Sequence, residues 1–71
     1  MRVVFRRHAL ERMVQRGVSR EAVEATLRSP DLVEESRGGT FVAWKTINGE
    51  RIKVVYSAEG GRVAVITVAT R

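Results

Sequence analysis

Residues 41–56 read FVAWKTINGERIKVVY, which is two segments rich in β-branched and aromatic side chains on either side of Asn48-Gly49. Asn-Gly is typical of a two-residue type I′ turn, so these segments predict a β-hairpin. The turn also sets the register of the two strands, out to Phe41 opposite Tyr56. Because successive side chains of a strand point to opposite faces, this register assigns every hairpin residue to one face of the sheet.

The predicted register gives the hairpin one apolar face and one mixed face. The apolar face, which we expect under the helices, carries Phe41, Ala43, Ile52, Val54 and Tyr56. The mixed face carries Val42, Trp44, Thr46, Arg51, Lys53 and Val55. An aromatic ring beside cations can stack a nucleic-acid base and bind phosphates. Alternatively, Trp44 and Lys53 form a cross-strand pair that shields the back of a small sheet. The sequence leaves both interpretations open.

Two helices are predicted before the hairpin. Residues 6–17 carry apolar side chains at i, i+3 and i+4 spacing, and Gly17 is suited to end that helix. The apolar stripe consists of Ala9, Leu10, Met13, Val14 and Gly17. Ser19 is a good N-cap for the second helix, which Pro30 ends near Ser29.

Further strands are predicted at residues 32–36, as a weak strand, and at residues 63–69, with turns at 37–40 and 59–61. The predicted order is therefore helix, helix and a four-stranded antiparallel meander. This describes a single α+β domain over residues 1–71, in which an N-terminal helical hairpin packs on one face of the sheet.

The composition excludes several classes of protein. The chain has no cysteine and one histidine, so we expect no disulfide, no metal and no cofactor. No segment is long and apolar enough for a membrane span or a signal peptide. We therefore expect a cytoplasmic protein without a membrane partner.

The formal net charge is +5 and it is unevenly distributed. Residues 1–20 carry six Arg and one Glu, residues 21–40 two Arg and five acids, and residues 41–71 five basic residues and two acids. Most of the basic residues are Arg, whose planar guanidinium binds phosphate with two hydrogen bonds. The charge favours a polyanionic partner such as RNA, although a G+C-rich genome or a thermophilic source gives the same excess of Arg.

His8, Arg12 and Arg16 follow one another at intervals of four, which places them near one another on the first helix. Histidine is a common general acid or base in RNA cleavage, and arginine stabilises the charge that develops on phosphate. Alternatively, these residues form an ordinary solvated helix face, with the two arginines paired to nearby acids. Arg16 lies beside the apolar stripe, so we expect it in a structural or rim position.

Four residues of the predicted strands are further candidates. Arg51 and Lys53 place positive charge on the mixed face. Tyr56 is expected in the core, with an acid or base role as the alternative. Thr67 suits a strand among Val and Ile residues.

The chain resembles a family of short bacterial proteins known as a domain of unknown function. The resemblance rests on HALERMVQRGVS (residues 8–19), on KVVY (residues 53–56) and on VITV (residues 65–68), and covers nearly the whole chain. It implies the fold of the barnase, EndoU, colicin and RelE-like ribonucleases, many of which are toxins that cleave RNA without a metal. By position, it implies as site residues His8, Arg12, Arg16, Lys53 and Thr67.

We therefore expect a small metal-independent endoribonuclease, a toxin-like component of a toxin–antitoxin system. A 2′-hydroxyl would attack the adjacent phosphate, with the catalytic residues His8, Arg12, Lys53 and Thr67 and the RNA-binding residues Arg16, Trp44, Arg51 and Tyr56. Expected partners are single-stranded or ribosome-bound RNA and a small acidic antitoxin. The alternatives are a non-catalytic RNA-binding or protein-interaction module, and a homodimer formed through a sheet edge.

The predicted catalytic set carries a geometric difficulty. His8 points away from the apolar stripe of its helix, whereas Trp44 and Lys53 are predicted on the sheet face opposite the helices. These groups can meet only at an edge of the sheet, or if the first residues precede the helix and fold back.

Overall fold

The computed structural model describes residues 2–71, which form two helices and one five-stranded sheet. In chain order, the elements are β1 (Arg2–Phe5), α1 (Arg7–Arg16), α2 (Arg20–Arg28), β2 (Leu32–Glu35), β3 (Thr40–Ile47), β4 (Glu50–Glu59) and β5 (Arg62–Thr70). A short 3₁₀ turn at Arg37–Gly39 joins β2 to β3. Within residues 2–71, neither helix is long and apolar enough to cross a membrane.

The predicted fold, an N-terminal helical hairpin on a four-stranded antiparallel sheet of the RelE-like type, is wrong. The described part of the chain begins with a strand, and the helices follow it. β1 pairs in parallel with β5, from Arg2 opposite Arg62 to Phe5 opposite Val65. The sheet is therefore mixed, with the strand order β1-β5-β4-β3-β2. A strand of four residues shows no reliable periodicity, and its partner lies at the other end of the chain, where no local pattern can reveal it.

The central hairpin has the predicted register. β3 and β4 are antiparallel, with Phe41 opposite Tyr56 and Trp44 opposite Lys53. The φ angles at the turn are 52° for Asn48 and 80° for the glycine that follows it. A type I′ turn requires positive φ at both positions, which Asn and Gly adopt most readily.

The helices cover one face of this sheet. α1 packs chiefly on β5, and α2 packs on β4 and β3. The buried core consists of Ala9, Met13, Val18, Val23, Ile52, Val54, Val65 and Val68. Tyr56 is partly buried against this core, and its ring stacks on that of Phe41 at 5.5 Å between centroids. The apolar face predicted from the hairpin is thus the face under the helices.

β5 contains one extra residue. Val55 lies opposite Thr67 and Tyr56 lies opposite Val65, so Ile66 is left without a partner on β4. This β-bulge reverses the alternation of side chains along the strand. As a result, Val65 faces the helices although it is two residues from Thr67, which faces the other way.

Two residues of the predicted stripe on α1 are exposed. Ala9 and Met13 are buried, whereas Leu10 is 45% exposed and Val14 is 84% exposed. The sheet covers only the side of α1 that carries the two buried residues. The spacing of apolar residues therefore predicts the orientation of this helix but overestimates the width of its buried face.

Ser19 caps α2 as predicted, since its Oγ accepts a hydrogen bond of 3.1 Å from the backbone N–H of Ala22. Replacing Ser19 with Ala is expected to lower the free energy of unfolding by about 1 kcal/mol, because this N–H then loses its partner. Urea denaturation measures the change. Ser36 precedes the 3₁₀ turn without a side-chain capping bond, so Ser36→Ala is the matched control. Equal losses in the two variants would contradict the capping role.

Candidate nucleic-acid interface

The sheet face opposite the helices is here called the open face. It is defined by the side chains that alternate with the core residues along β3, β4 and β5: Val42, Trp44, Thr46, Arg51, Lys53, Val55 and Thr67. The register of the central hairpin puts aromatic and cationic side chains side by side here, because Trp44 is the direct cross-strand partner of Lys53. Neighbours of this kind on one face lie within contact distance.

Three cations surround the ring of Trp44. The distances to the ring centroid are 4.6 Å from Cζ of Arg51, 5.3 Å from Nζ of Lys53 and 5.8 Å from Cζ of Arg71. The indole Nε1 donates a hydrogen bond of 3.1 Å to Oε1 of Glu34 on β2. Trp44, Arg51, Lys53 and Arg71 are called the Trp44 cluster below. They combine an aromatic plane with three charges that suit phosphate.

Sequence reasoning identified three members of the Trp44 cluster and missed Arg71. The last strand was expected to end at residue 69, but it continues to Thr70. Two backbone hydrogen bonds then join Arg51 and Arg71, with N···O distances of 3.0 and 3.3 Å. The alternation of side chains cannot be followed from Val63 to the end of β5, because the bulge interrupts it. Arg71 could have been placed beside Arg51 only by continuing the pairing of β5 with β4 to the last residue of the strand and one residue beyond it.

His8 and Arg12 lie together on α1, as their spacing predicts. Nε of Arg12 points to Nε2 of His8 at 3.5 Å. His8 is exposed, Arg12 is half-buried, and Arg16 is exposed in the last turn of the helix. The imidazole therefore has a neighbouring guanidinium that can bind the same anion.

The sheet separates the two halves of the predicted catalytic set. His8 and Arg12 belong to the helix layer, whereas Lys53 and Thr67 lie on the open face. Among the residues predicted to bind RNA, Trp44 and Arg51 are in contact on the open face. The other two lie elsewhere: Arg16 is on α1, and Tyr56 lies under the helices. The structure thus brings together Trp44, Arg51 and Lys53 but not the composite catalytic site.

Metal-ligating groups are scattered over the part of the chain that the structure describes. Within residues 2–71, no three His, Asp or Glu side chains converge in a way that could hold a metal ion.

The elements and the open face define a small α+β domain with a cationic sheet surface. Comparison with protein-family models matches residues 5–70 to a domain of unknown function, DUF4258. Because the match spans nearly the whole chain, the chain belongs to this family. The expectation of a family of unknown function is confirmed, and the resemblance to ribonuclease toxins stays a prediction. No curated protein and no solved structure matches the chain.

Proposed function

We propose that the chain binds single-stranded RNA on its open face, at the Trp44 cluster. The observation that carries the proposal is the position of three cations within 5.8 Å of one indole ring centroid. Lysine and arginine bind backbone phosphates, and aromatic or guanidinium planes stack unpaired bases. An open sheet face accepts splayed bases, which a double helix does not offer.

The charge balance of the Trp44 cluster favours a ligand over a purely structural role. One cation over the ring is enough for a favourable cation–π contact. Three cations around the same ring repel one another, and none of them takes part in the ion pairs of residues 2–71. A polyanion that binds here relieves this repulsion, so the arrangement is more stable with a ligand bound than without one.

Trp44 is the single tryptophan of the chain, so its fluorescence reports directly on the proposed site. Titration with single-stranded oligouridylate is expected to quench this fluorescence, and Arg51→Ala and Lys53→Ala are each expected to weaken binding about tenfold. If three phosphates are contacted, log K against log salt has a slope of about −2. Arg28→Ala is the matched control, since Arg28 is exposed in the last turn of α2.

Three results of this titration would count against the proposal. Absence of quenching would overturn it, as would equal weakening by Arg28→Ala. Equal affinity for single-stranded DNA would replace RNA with polynucleotide as the ligand. A circular dichroism spectrum for each variant confirms that the comparison is made between folded proteins.

Endoribonuclease activity is the second candidate, and the presence of Thr67 on the same open face as Lys53 of the Trp44 cluster favours it. The 2′-hydroxyl would lose its proton as its oxygen attacks phosphorus, and the 5′-oxygen would take up a proton as its bond to phosphorus breaks, which leaves a 2′,3′-cyclic phosphate and a 5′-hydroxyl. A cation next to the phosphate stabilises the charge that develops in this step. His8 lies across the sheet, so it is outside any site formed there.

Cleavage of RNA in the presence of EDTA separates the two candidates. Cutting that survives His8→Ala and is lost in Lys53→Ala would establish cleavage on the open face. Cutting that is lost in His8→Ala and Arg12→Ala would place the reaction on α1 instead. No cutting leaves binding as the function.

The acidic antitoxin, the toxin role and the cytoplasmic location stay predictions. So does pairing of two copies through a sheet edge, for which β2 offers a strand whose four residues are all exposed. Glu34 and Glu35 lie on this edge. Pairing with the same strand of a second copy would bring these carboxylates together and is therefore disfavoured.

A further inference from the structure

We infer that Arg2 and Arg62 form a second phosphate site, at the opposite end of the open face from the Trp44 cluster. The inference rests on the proposed function and extends it, since the ligand would be another phosphate of the same RNA strand. β1 and β5 are paired so that Arg2 lies directly opposite Arg62. Arg62 also lies opposite Glu59 on β4. Because side chains alternate along a strand, Glu59 faces the same way as Arg51, Lys53 and Val55, which is toward the open face.

Two like charges at directly opposed positions of a sheet are destabilising unless a counter-charge lies between them. The ion pairs of residues 2–71 are Arg6 with Glu59, at 2.9 Å, and Lys45 with Asp31, at 3.9 Å. Neither Arg2 nor Arg62 takes part in them.

Glu59, the nearest carboxylate along the sheet, is engaged through one of its two oxygens. Its Oε2 accepts hydrogen bonds from Arg6 and from the Ser57 hydroxyl, each at 2.9 Å. Because Arg6 balances the charge of Glu59, the guanidinium groups of Arg2 and Arg62, which form no ion pair within residues 2–71, keep a positive charge that can receive an anion from outside.

The same two arginines line a cavity of about 500 Å³, together with Glu59, Gly60 and Gly61. The two glycines form the tight turn between β4 and β5, with φ angles of 54° and 81°. Neither of their backbone N–H groups donates to a backbone carbonyl among the turns and loops of residues 2–71. A phosphate in this cavity can accept hydrogen bonds from the two guanidinium groups. The backbone N–H groups of the two glycines, which also line the cavity, are further donors.

The distance between the two sites makes the inference testable by RNA length. Lys53 and Glu59 are on the same strand, and at the usual rise per residue they are about 20 Å apart. A dinucleotide bound at the Trp44 cluster is too short to reach the cavity, whereas an octanucleotide spans both sites. The second site should therefore strengthen the binding of the long probe only.

The test compares oligouridylates of two and eight nucleotides, with Trp44 fluorescence as the readout. In Arg62→Ala and in Arg2→Ala, the affinity for the octanucleotide is expected to fall about tenfold, and its salt slope to decrease by about 0.7 per lost phosphate contact. The affinity for the dinucleotide should change less than twofold. Arg62→Lys retains the charge and should retain the salt slope, and Arg28→Ala controls for the loss of one positive charge elsewhere.

Each alternative outcome has a distinct meaning. Unchanged octanucleotide affinity in both Arg62→Ala and Arg2→Ala would overturn the second site and leave the Trp44 cluster as the binding site. Equal losses for both probe lengths would also overturn it, because the effect would then come from the fold or from the Trp44 cluster. If neither probe changes the fluorescence of the unmodified protein, the proposed function fails and this inference fails with it.

Discussion

Replacing Val54 with Ala is expected to lower the free energy of unfolding by about 2 kcal/mol. Val54 is 0% exposed and lies in the middle of β4, which is flanked by β3 and β5. It belongs to the core between the sheet and the helices. The change removes two buried methyl groups and leaves a cavity that the surrounding core cannot fully close. A domain of this length is stabilised by only about 5 kcal/mol in total, so the loss is a large part of its stability.

The same substitution on α1 provides the control. Val14 is 84% exposed, so Val14→Ala removes almost no buried surface, and alanine is the better helix former. We expect a change within about 0.5 kcal/mol of zero. Urea denaturation followed by circular dichroism measures both variants. A loss of similar size at both positions would contradict the assignment of Val54 to the core and of Val14 to the surface.

Reversing two charges of the Trp44 cluster is expected to reduce RNA affinity at least a hundredfold. In the double variant Arg51→Glu with Lys53→Glu, two attractive contacts to phosphate become repulsive, and each lost charged contact is worth about 1.5–3 kcal/mol. The salt dependence of binding should flatten at the same time, because fewer counterions are released from the RNA. Trp44 fluorescence and an independent gel-shift assay measure the loss.

The matched control changes the net charge equally but on the other side of the molecule. Arg7 and Arg28 are exposed on α1 and α2, and Arg7→Glu with Arg28→Glu should weaken binding only a few-fold through the long-range field. If both double variants bind RNA equally weakly, overall charge and not the open face determines affinity.

The central hairpin was predictable because its determinants are local. Asn48 and Gly49 adopt the backbone angles that few other residues tolerate, and this turn sets the partner of every residue in β3 and β4. The grouping of Trp44 with Arg51 and Lys53 followed from that register. Helix ends were likewise predicted to within a residue or two, from Ser19 and from the glycine after α1.

Other features depended on contacts between distant parts of the chain. β1 is too short to show a pattern, and its pairing is decided by the free edge of β5. The exposure of Leu10 and Val14 depends on how much of α1 the sheet covers. The bulge at Ile66 and the position of Arg71 beside Arg51 are likewise set by the pairing of β5 with β4. The separation of His8 from Lys53 could be anticipated from the orientation of the helix, and the structure has the two on opposite sides of the sheet.

The parallel pairing of the first strand with the last one makes the order of synthesis differ from the order of folding. At translation rates of about 5–20 residues per second, the stretch from the end of β1 at Phe5 to the end of β5 at Thr70 takes about 3–13 s to synthesise. During this time Val3 and Phe5, which are partly buried in the folded chain, have no strand to pair with. The β3–β4 hairpin, by contrast, can form within microseconds of emerging. The nascent chain is therefore expected to carry β1 as an unpaired apolar segment, and to complete its core only when β5 arrives.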